Sequence, residues 1–136
     1  MTRFVLDCSV AMAWCFEDEA DGYADAILGK LESAEAVVPS LWPLEVANVL
    51  LVGERRKRLS EASSSRFVEL LRSLPITIDE ETSRRAMGAI LSLSAYDAAY
   101  IELAMREGLA LATLDKRLAS AASQSGVPLL DIPAGL

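Results

Sequence analysis

The sequence predicts an α/β protein built around a parallel sheet. Short apolar runs alternate along the chain with longer segments of helical spacing, the pattern that strand–helix–strand units produce. The chain is also apolar enough to close a core, being 52% hydrophobic and 24% charged. At 136 residues it is the size of a single domain, 1–136, and too short for two independent cores.

The elements follow in order. Phe4-Val5-Leu6 reads as a first strand that stops at Asp7, and a short helix follows through Trp14. An acidic turn, Glu17 to Asp21, precedes a second helix in which Ala24, Ile27, Leu28 and Leu31 recur at helical spacing. Ala36-Val37-Val38 is a second strand, stopped by Pro39. Pro43 suits the first turn of a helix, and Leu44, Val46, Ala47, Val49, Leu50 and Leu51 cover most of its faces, so this helix is expected to be largely buried. It ends in Arg55 to Arg58, cations favoured at a helix C-terminus. Ser60 is a candidate N-cap for a helix that spaces Phe67, Leu70, Leu71 and Leu74 by threes and fours, and Pro75 ends it. Ile76-Thr77-Ile78 reads as a minor strand, with Asp79 able to cap a helix reaching Leu91. A helix beginning at Ser94 closes at Gly108, and Leu109–Thr113 is the expected central strand. Asp115 opens a helix to about Ser123, and Gly126-Val127-Pro128 turns into a last strand, Leu129 to Ile132.

Composition excludes several chemistries. There is no histidine, which removes imidazole acid/base catalysis, a Ser-His-Asp triad and His-ligated zinc. Thirteen basic against twenty acidic residues leave a net charge of −7. That balance argues against nucleic-acid binding through a broad basic surface. It is compatible with a nuclease whose metal ions offset acidic ligands and phosphates together. On one helix Cys8 and Cys15 would sit roughly 10 Å apart, too far for a disulfide. Free thiols and the lack of any span-length apolar run point to a cytoplasmic protein with no membrane segment.

Four acids carry the functional expectation. In a parallel sheet the strand C-termini share one edge, and ligand sites form there. Asp7 follows the first strand and Asp115 lies just past the Leu109–Thr113 strand. Glu45 and Asp97 sit in the first turns of their helices. Each also has a plain structural reading. Asp115 can be an N-cap, Ser94 to Asp97 fits a capping box, and Glu45 suits a helix N-terminus. Asp7 resists such a reading, because a carboxylate among Phe4, Val5, Leu6 and Val10 needs a partner if buried. Clustered acids without fixed counter-cations repel, and a divalent metal relieves the repulsion. Hard oxygen donors suit Mg²⁺ or Mn²⁺, and without histidine a metal-activated water is the natural nucleophile.

The residues at these positions resemble PIN-domain nucleases, specifically the VapC-type toxins of prokaryotic toxin–antitoxin pairs. The matching pieces are Val5-Leu6-Asp7-Cys8-Ser9 and Pro43-Leu44-Glu45-Val46-Ala47-Asn48, followed by Tyr96-Asp97-Ala98-Ala99-Tyr100-Ile101-Glu102-Leu103-Ala104 and Leu111-Ala112-Thr113-Leu114-Asp115. They occur in the family's order over nearly the whole chain. The resemblance implies a three-layer α/β/α sandwich, Mg²⁺- or Mn²⁺-dependent cleavage of RNA, a homodimer, and inhibition by a small antitoxin that reaches the acidic pocket. By motif, Asp7, Glu45, Asp97 and Asp115 carry over as catalytic metal-site residues, with Asp7 and Asp97 the most direct ligands. Ser9, Asn48 and Thr113 carry over as supporting partners of the carboxylates, against the plain alternative that such side chains bond local backbone. Many relatives have a lysine just before the tryptophan of the first helix, where this chain has Ala13. That departure touches a substrate contact and leaves the metal site intact. Trp14, Phe16 and Trp42 are core residues or a groove for an antitoxin helix.

The alternatives are a receiver-like signalling module or a PIN-like binding module without nuclease activity. A receiver needs an acidic pair after the first strand and a late lysine, whereas Asp7 stands alone and no lysine follows Lys116. A phosphatase using Asp7 as nucleophile would want a second acid two residues on, where Ser9 stands. Intact acids at all four motif positions argue against a binding-only protein.

Overall fold

The computed structural model describes residues 2–80 and 95–131. Its elements are β1 (Thr2–Leu6), α1 (Cys8–Cys15), a 3₁₀ turn (Glu17–Glu19), α2 (Gly22–Lys30), β2 (Ala34–Pro39), α3 (Trp42–Arg55), α4 (Glu61–Ser73), β3 (Ile76–Asp79), α5 (Ala95–Glu107), β4 (Leu111–Ala112) and α6 (Lys116–Gln124). The four strands form one sheet in the order β3-β2-β1-β4. Every pairing is parallel, with Phe4 beside Ala36, Val5 beside Leu111 and Ala36 beside Ile76. The α/β class and the parallel sheet are therefore as the apolar runs indicated.

β1 lies inside the sheet, and its run Phe4-Val5-Leu6 is fully buried. A strand covered on both faces reads as a continuous apolar run rather than an alternation. β2 likewise buries Ala36, Val37 and Val38. The chain passes from β1 outward through β2 to β3, then returns to place β4 on the other flank of β1. The carboxyl ends of β1 and β4 thus flank the point where the winding reverses, where open α/β sheets form their crevice.

Three expectations change in detail. The Leu109–Thr113 strand contracts to Leu111–Ala112, although Val5 and Asp7 amides still donate to the Ala110 and Ala112 carbonyls at 2.9 Å. The last strand is a single parallel bridge, Leu129 beside Leu111. Helix α3, expected to be buried on most faces, buries only the stripe Trp42, Val46, Leu50 and Gly53. Leu44 and Leu51 are 75% and 50% exposed, because spacings of three and four select one side of a helix whatever the hydrophobicity of the other. The deeply covered helix is α5, where Ala98, Ala99, Tyr100, Ile101, Leu103 and Ala104 are all buried. The expected helix from Asp79 to Leu91 lies outside the described residues beyond Glu80.

Two of the caps, Ser60 on α4 and Asp115 on α6, are those the sequence marks, and the structure adds Asp7 on α1 and Asp21 on α2. Gly108, at φ 65°, closes α5, a conformation that favours glycine. Both cysteines lie on α1 and are free. The acidic turn is more than a solvated loop. Arg58 donates to Asp18 at 2.9 Å and to Glu19 at 3.0 Å, and its guanidinium lies 4.2 Å from the centre of the Phe16 ring. Of the basic run after α3, Arg58 is thus committed to holding the 3₁₀ turn. Among the described residues no helix is long and apolar enough to cross a membrane.

Candidate metal centre

Asp7 anchors the site. It is the first residue past β1, 6% exposed, and its position is fixed by two helix-forming events at once. Its side chain caps α1, while Oδ2 accepts from Ser9 Oγ at 2.5 Å and from Thr113 Oγ1 at 2.7 Å. The Ser9 amide adds a longer contact to the same oxygen, 3.4 Å. Thr113 Oγ1 in turn accepts from the Asp115 amide at 2.9 Å, and Ser9 Oγ accepts from the Leu114 amide at 2.9 Å. These bonds tie the end of β1 to the end of β4 across the sheet's switch point. All the donors reach Oδ2, so Oδ1 has no hydrogen-bond partner among the described residues. Burial raises the Asp7 carboxyl above its ordinary value. The hydroxyls of Ser9 and Thr113 pull it back, and the charge of Asp115 adds to the rise.

Glu45 comes from the first turn of α3 and is half-buried. Its Oε1 accepts from Tyr100 Oη at 2.6 Å. Burial pushes its carboxyl up to about 7 against the Tyr100 bond, with the negative charges of Asp7 and Asp97 pushing the same way. Asp97 lies half-buried in the first turn of α5. Asp115 is exposed, and its Oδ1 accepts from the Arg117 and Leu118 amides at 2.9 and 3.2 Å. Its capping role and its place at the edge hold together, since capping uses one oxygen.

The fold therefore brings Asp7, Glu45, Asp97 and Asp115 to one sheet edge, within reach of each other's charge. Ser9 and Thr113 bond Asp7 directly. Asn48 is exposed on α3 and makes no hydrogen bond to Glu45. Tyr100 is a site residue that the motif reading left without a role. It is 1% exposed, donates to Glu45 and accepts from the Cys8 amide at 3.2 Å. Its position three after Asp97 puts both on one face of α5, which is the signal that would have found it. Burial, then the charges of Asp7 and Glu45, hold its phenol well above the ordinary range. Burial, Glu45 and Asp7 likewise push the Cys8 thiol up, so it has no thiolate character to offer a metal or substrate.

Among the described residues no three acidic or sulfur side chains stand close enough to form a ready-made ion cage. The donor set suits a cation that needs few protein ligands. Mg²⁺ keeps several waters and takes one or two carboxylates plus substrate phosphates. Asp7 Oδ1 and the neighbouring acids supply hard oxygen of that kind. The donors bonded to Asp7, Glu45 and Asp115 are hydroxyls and amides, with no cation among them.

A parallel sheet wound outward from β1 and back to β4, with acids gathered at its carboxyl edge, defines a PIN-like α/β protein. The PIN-domain family model matches residues 4–124, and the chain belongs to the PIN-domain family. Members of this family are generally metal-dependent nucleases. Among solved structures, the chain is similar to PAE2754 from Pyrobaculum aerophilum, with 25% identity, 88% of this chain and 85% of that one covered, and a TM-score of 0.62. It is also similar in fold to VapBC2 from Rickettsia felis, solved bound to a DNA fragment from their promoter (12% identity, 95% and 98% covered, TM-score 0.65). FitAB bound to the IR36 DNA fragment gives 15% identity, 98% and 99% covered, and a TM-score of 0.59. No curated protein sequence matches the chain at a significant level.

Proposed function

We propose that this chain is a metal-dependent endoribonuclease toxin of the VapC type, acting in the cytoplasm and held inactive by a small cognate antitoxin. The observation that carries the reading is the state of Asp7. It is buried, gripped through one oxygen by Ser9 and Thr113, left with the other free of donors, and surrounded by further acids. The free oxygen is not among the sealed, unpartnered polar atoms of the described residues, so it stays open to an ion arriving from solvent.

In this reading Asp7 and Asp97 hold the ion directly, with Glu45 and Asp115 completing the acidic edge. Bound Mg²⁺ or Mn²⁺ would offset the charge of the scissile phosphate and activate the attacking water. The protein's own residues set the geometry. Ser9 and Thr113 fix the Asp7 carboxylate in one orientation. Tyr100 fixes Glu45, whose raised affinity for protons suits it to take up a proton near neutral pH.

Two surfaces support the proposed partners. A cleft of about 670 Å³ between α1, the 3₁₀ turn and α4 is lined by Trp14, Phe16, Phe67 and Leu70, with Arg58 and Arg66 at its polar side. Its apolar floor suits the apolar face of an antitoxin helix, while its rim carries both signs of charge, since Glu17 and Asp18 line it too and Arg58 is paired with Asp18. Trp14 is fixed there by its indole bond to the Ala24 carbonyl at 2.7 Å. Trp42 lines a different cleft, with Val46 and Leu71, and is not part of this groove. The exposed apolar stripe Leu44 and Leu51 on α3 supports the homodimer.

The test is cleavage of a mixed single-stranded RNA pool by the purified chain in Mn²⁺, in Mg²⁺ and in EDTA. Cleavage is expected with either metal and not with chelator, and Asp97→Asn is expected to abolish it. Cutting that persists in EDTA, or an Asp97→Asn protein that cuts as well as the wild type, would overturn the assignment.

A further inference from the structure

We infer that a cavity beside the acidic edge, between α2, α6 and the Leu129–Asp131 segment, is a nucleotide subsite for single-stranded RNA, with Lys116 holding the backbone next to the scissile phosphate. The inference rests on the nuclease reading above and adds to it where the substrate lies.

The cavity measures about 530 Å³, within the range of small-molecule sites. Thr113 and Asp115 of the acidic edge form part of its lining, so whatever occupies it lies next to the candidate metal. Its walls are otherwise largely apolar, with Leu114, Ala119 and Leu129 beside Tyr23. The Tyr23 hydroxyl donates to the Leu130 carbonyl at 2.6 Å, which joins α2 to the terminal segment and fixes the wall. A nucleobase is recognised by its π-face against such apolar and aromatic groups.

The charge distribution then places the phosphate. Phosphate contacts need Lys or Arg, and in this acidic protein several cations are already committed. Arg3 pairs with Glu107, Arg58 with Asp18 and Glu19, Arg72 with Glu69, and Arg106 with Asp79 and Glu102. Lys116 lines the cavity, is exposed, and has no ion pair among the described residues. Asp115 and Asp131 also line the cavity and repel phosphate, so Lys116 is where an RNA backbone enters. The ordinary reading of Lys116, a solvated charge in the first turn of α6, accounts for its exposure. It does not account for a cation set between the acidic edge and an apolar cavity of nucleotide size.

The experiment is fluorescence anisotropy of a labelled single-stranded RNA octamer on the full chain in EDTA, across a salt series. Lys116→Ala is expected to weaken binding about fivefold to tenfold and to reduce the slope of log K against log salt by about 0.7. Lys30→Ala makes the same charge change at the end of α2, just before β2 and so at the opposite sheet edge, and is expected to leave binding unchanged. Ala119→Leu fills the cavity and should weaken binding without altering the slope, an effect that disappears with an abasic octamer. Leu129→Gln, at an exposed wall position, serves the same purpose without loading the interior. With Mn²⁺, Lys116→Ala should raise KM and leave kcat unchanged, and should gain as much thermal stability from the metal as the wild type. If Lys116→Ala binds like Lys30→Ala, or if both wall variants leave octamer binding unchanged, the subsite is wrong while the nuclease reading stands. A wild type that neither binds the octamer nor responds to Mn²⁺ would overturn both.

Discussion

Replacing Tyr100 by Phe removes one buried oxygen and tests how the acidic edge is held. The hydroxyl serves two groups, donating to Glu45 at 2.6 Å and accepting from the Cys8 amide at 3.2 Å. A hydrogen bond to a charged group contributes ~1.5–3 kcal/mol, and a buried donor left without a partner costs ~1–3 kcal/mol. The Cys8 amide belongs to the first turn of α1, where no helix carbonyl is available to it. Allowing for overlap of the two effects, Tyr100→Phe should lose about 2–4 kcal/mol in chelator above pH 8, where Glu45 is ionised. Below pH 6 Glu45 is mostly neutral, its bond to Tyr100 is of the weaker neutral kind, and the loss should shrink. Because Tyr100 lowers the Glu45 carboxyl, the variant should also titrate Glu45 higher than the wild type. Urea unfolding at pH 5.5 and 8.5, with ¹³C-carboxyl NMR of Glu45, reads both effects. Tyr23→Phe, which removes a hydroxyl bonded to a neutral carbonyl, is the control whose loss should not depend on pH in this range. A Tyr100→Phe protein as stable as the wild type at both pH values, or one whose Glu45 titration is unmoved, would refute the proposed coupling of Tyr100 to the site.

Other outcomes follow from the same geometry. Glu45 is raised from about 4.5 to about 7 in the folded chain, so its contribution to stability is full below the unfolded value and is lost as pH rises through 7. In chelator the wild type should accordingly melt lower at pH 8 than at pH 5.5, and Glu45→Gln should flatten that difference in a differential scanning measurement. Asp97→Asn should gain distinctly less thermal stability from Mn²⁺ than the wild type does. A full metal response would make Asp97 a helix residue only. Ser64 is buried in α4 with a hydroxyl that has no partner among the described residues, so Ser64→Ala should stabilise the chain by about 0.5–1.5 kcal/mol in urea unfolding. Lys57 holds φ 59° after α3, and Lys57→Gly should stabilise by about 0.5–1 kcal/mol through relief of that conformation.

What could be read from the sequence were the features that repeat locally. The buried run Phe4-Val5-Leu6, the caps at Ser60 and Asp115, and Gly108 at the end of α5 each depend on a few neighbouring residues. The placing of Asp7 and Asp115 at one edge was legible because strand ends in a parallel sheet share an edge, whereas Glu45 and Asp97 sit in helix first turns and were singled out by the motifs. The misreadings concern contacts between distant segments. Nothing local to α3 marks which of its apolar faces the core will take, so Leu44 and Leu51 looked as buried as Val46 and Leu50. Arg58 and the acidic turn are forty residues apart for Asp18, and each alone looks like a solvated charge. Tyr100 was given no role because its two partners, Cys8 and Glu45, come from other parts of the chain.

The way the acids are held bears on how the proposed site would take an ion. A stabilising design would oppose buried carboxylates with arginine or lysine, as Arg106 is placed against Asp79 and Glu102 at 2.6 and 2.8 Å. Around Asp7, Glu45 and Asp115 the described residues instead supply hydroxyls from Ser9, Thr113 and Tyr100 and backbone amides. These orient the oxygens without cancelling their charge. Burial is the main reason that Asp7 and Glu45 hold their protons more tightly than ordinary carboxyls, and the charges of neighbouring acids add to it. A fixed guanidinium there would remove the repulsion and would also occupy Asp7 Oδ1, closing the site to any other cation. Leaving the charge uncancelled makes the folded apo protein less stable and makes a divalent ion a ligand that stabilises it by mass action, about 2.7 kcal/mol at a hundredfold excess over Kd. In the proposed nuclease the same field would repel a substrate phosphate until an ion is in place. Lys116, beside Asp115 at the flank of that edge, would give the backbone a contact that does not wait for the metal.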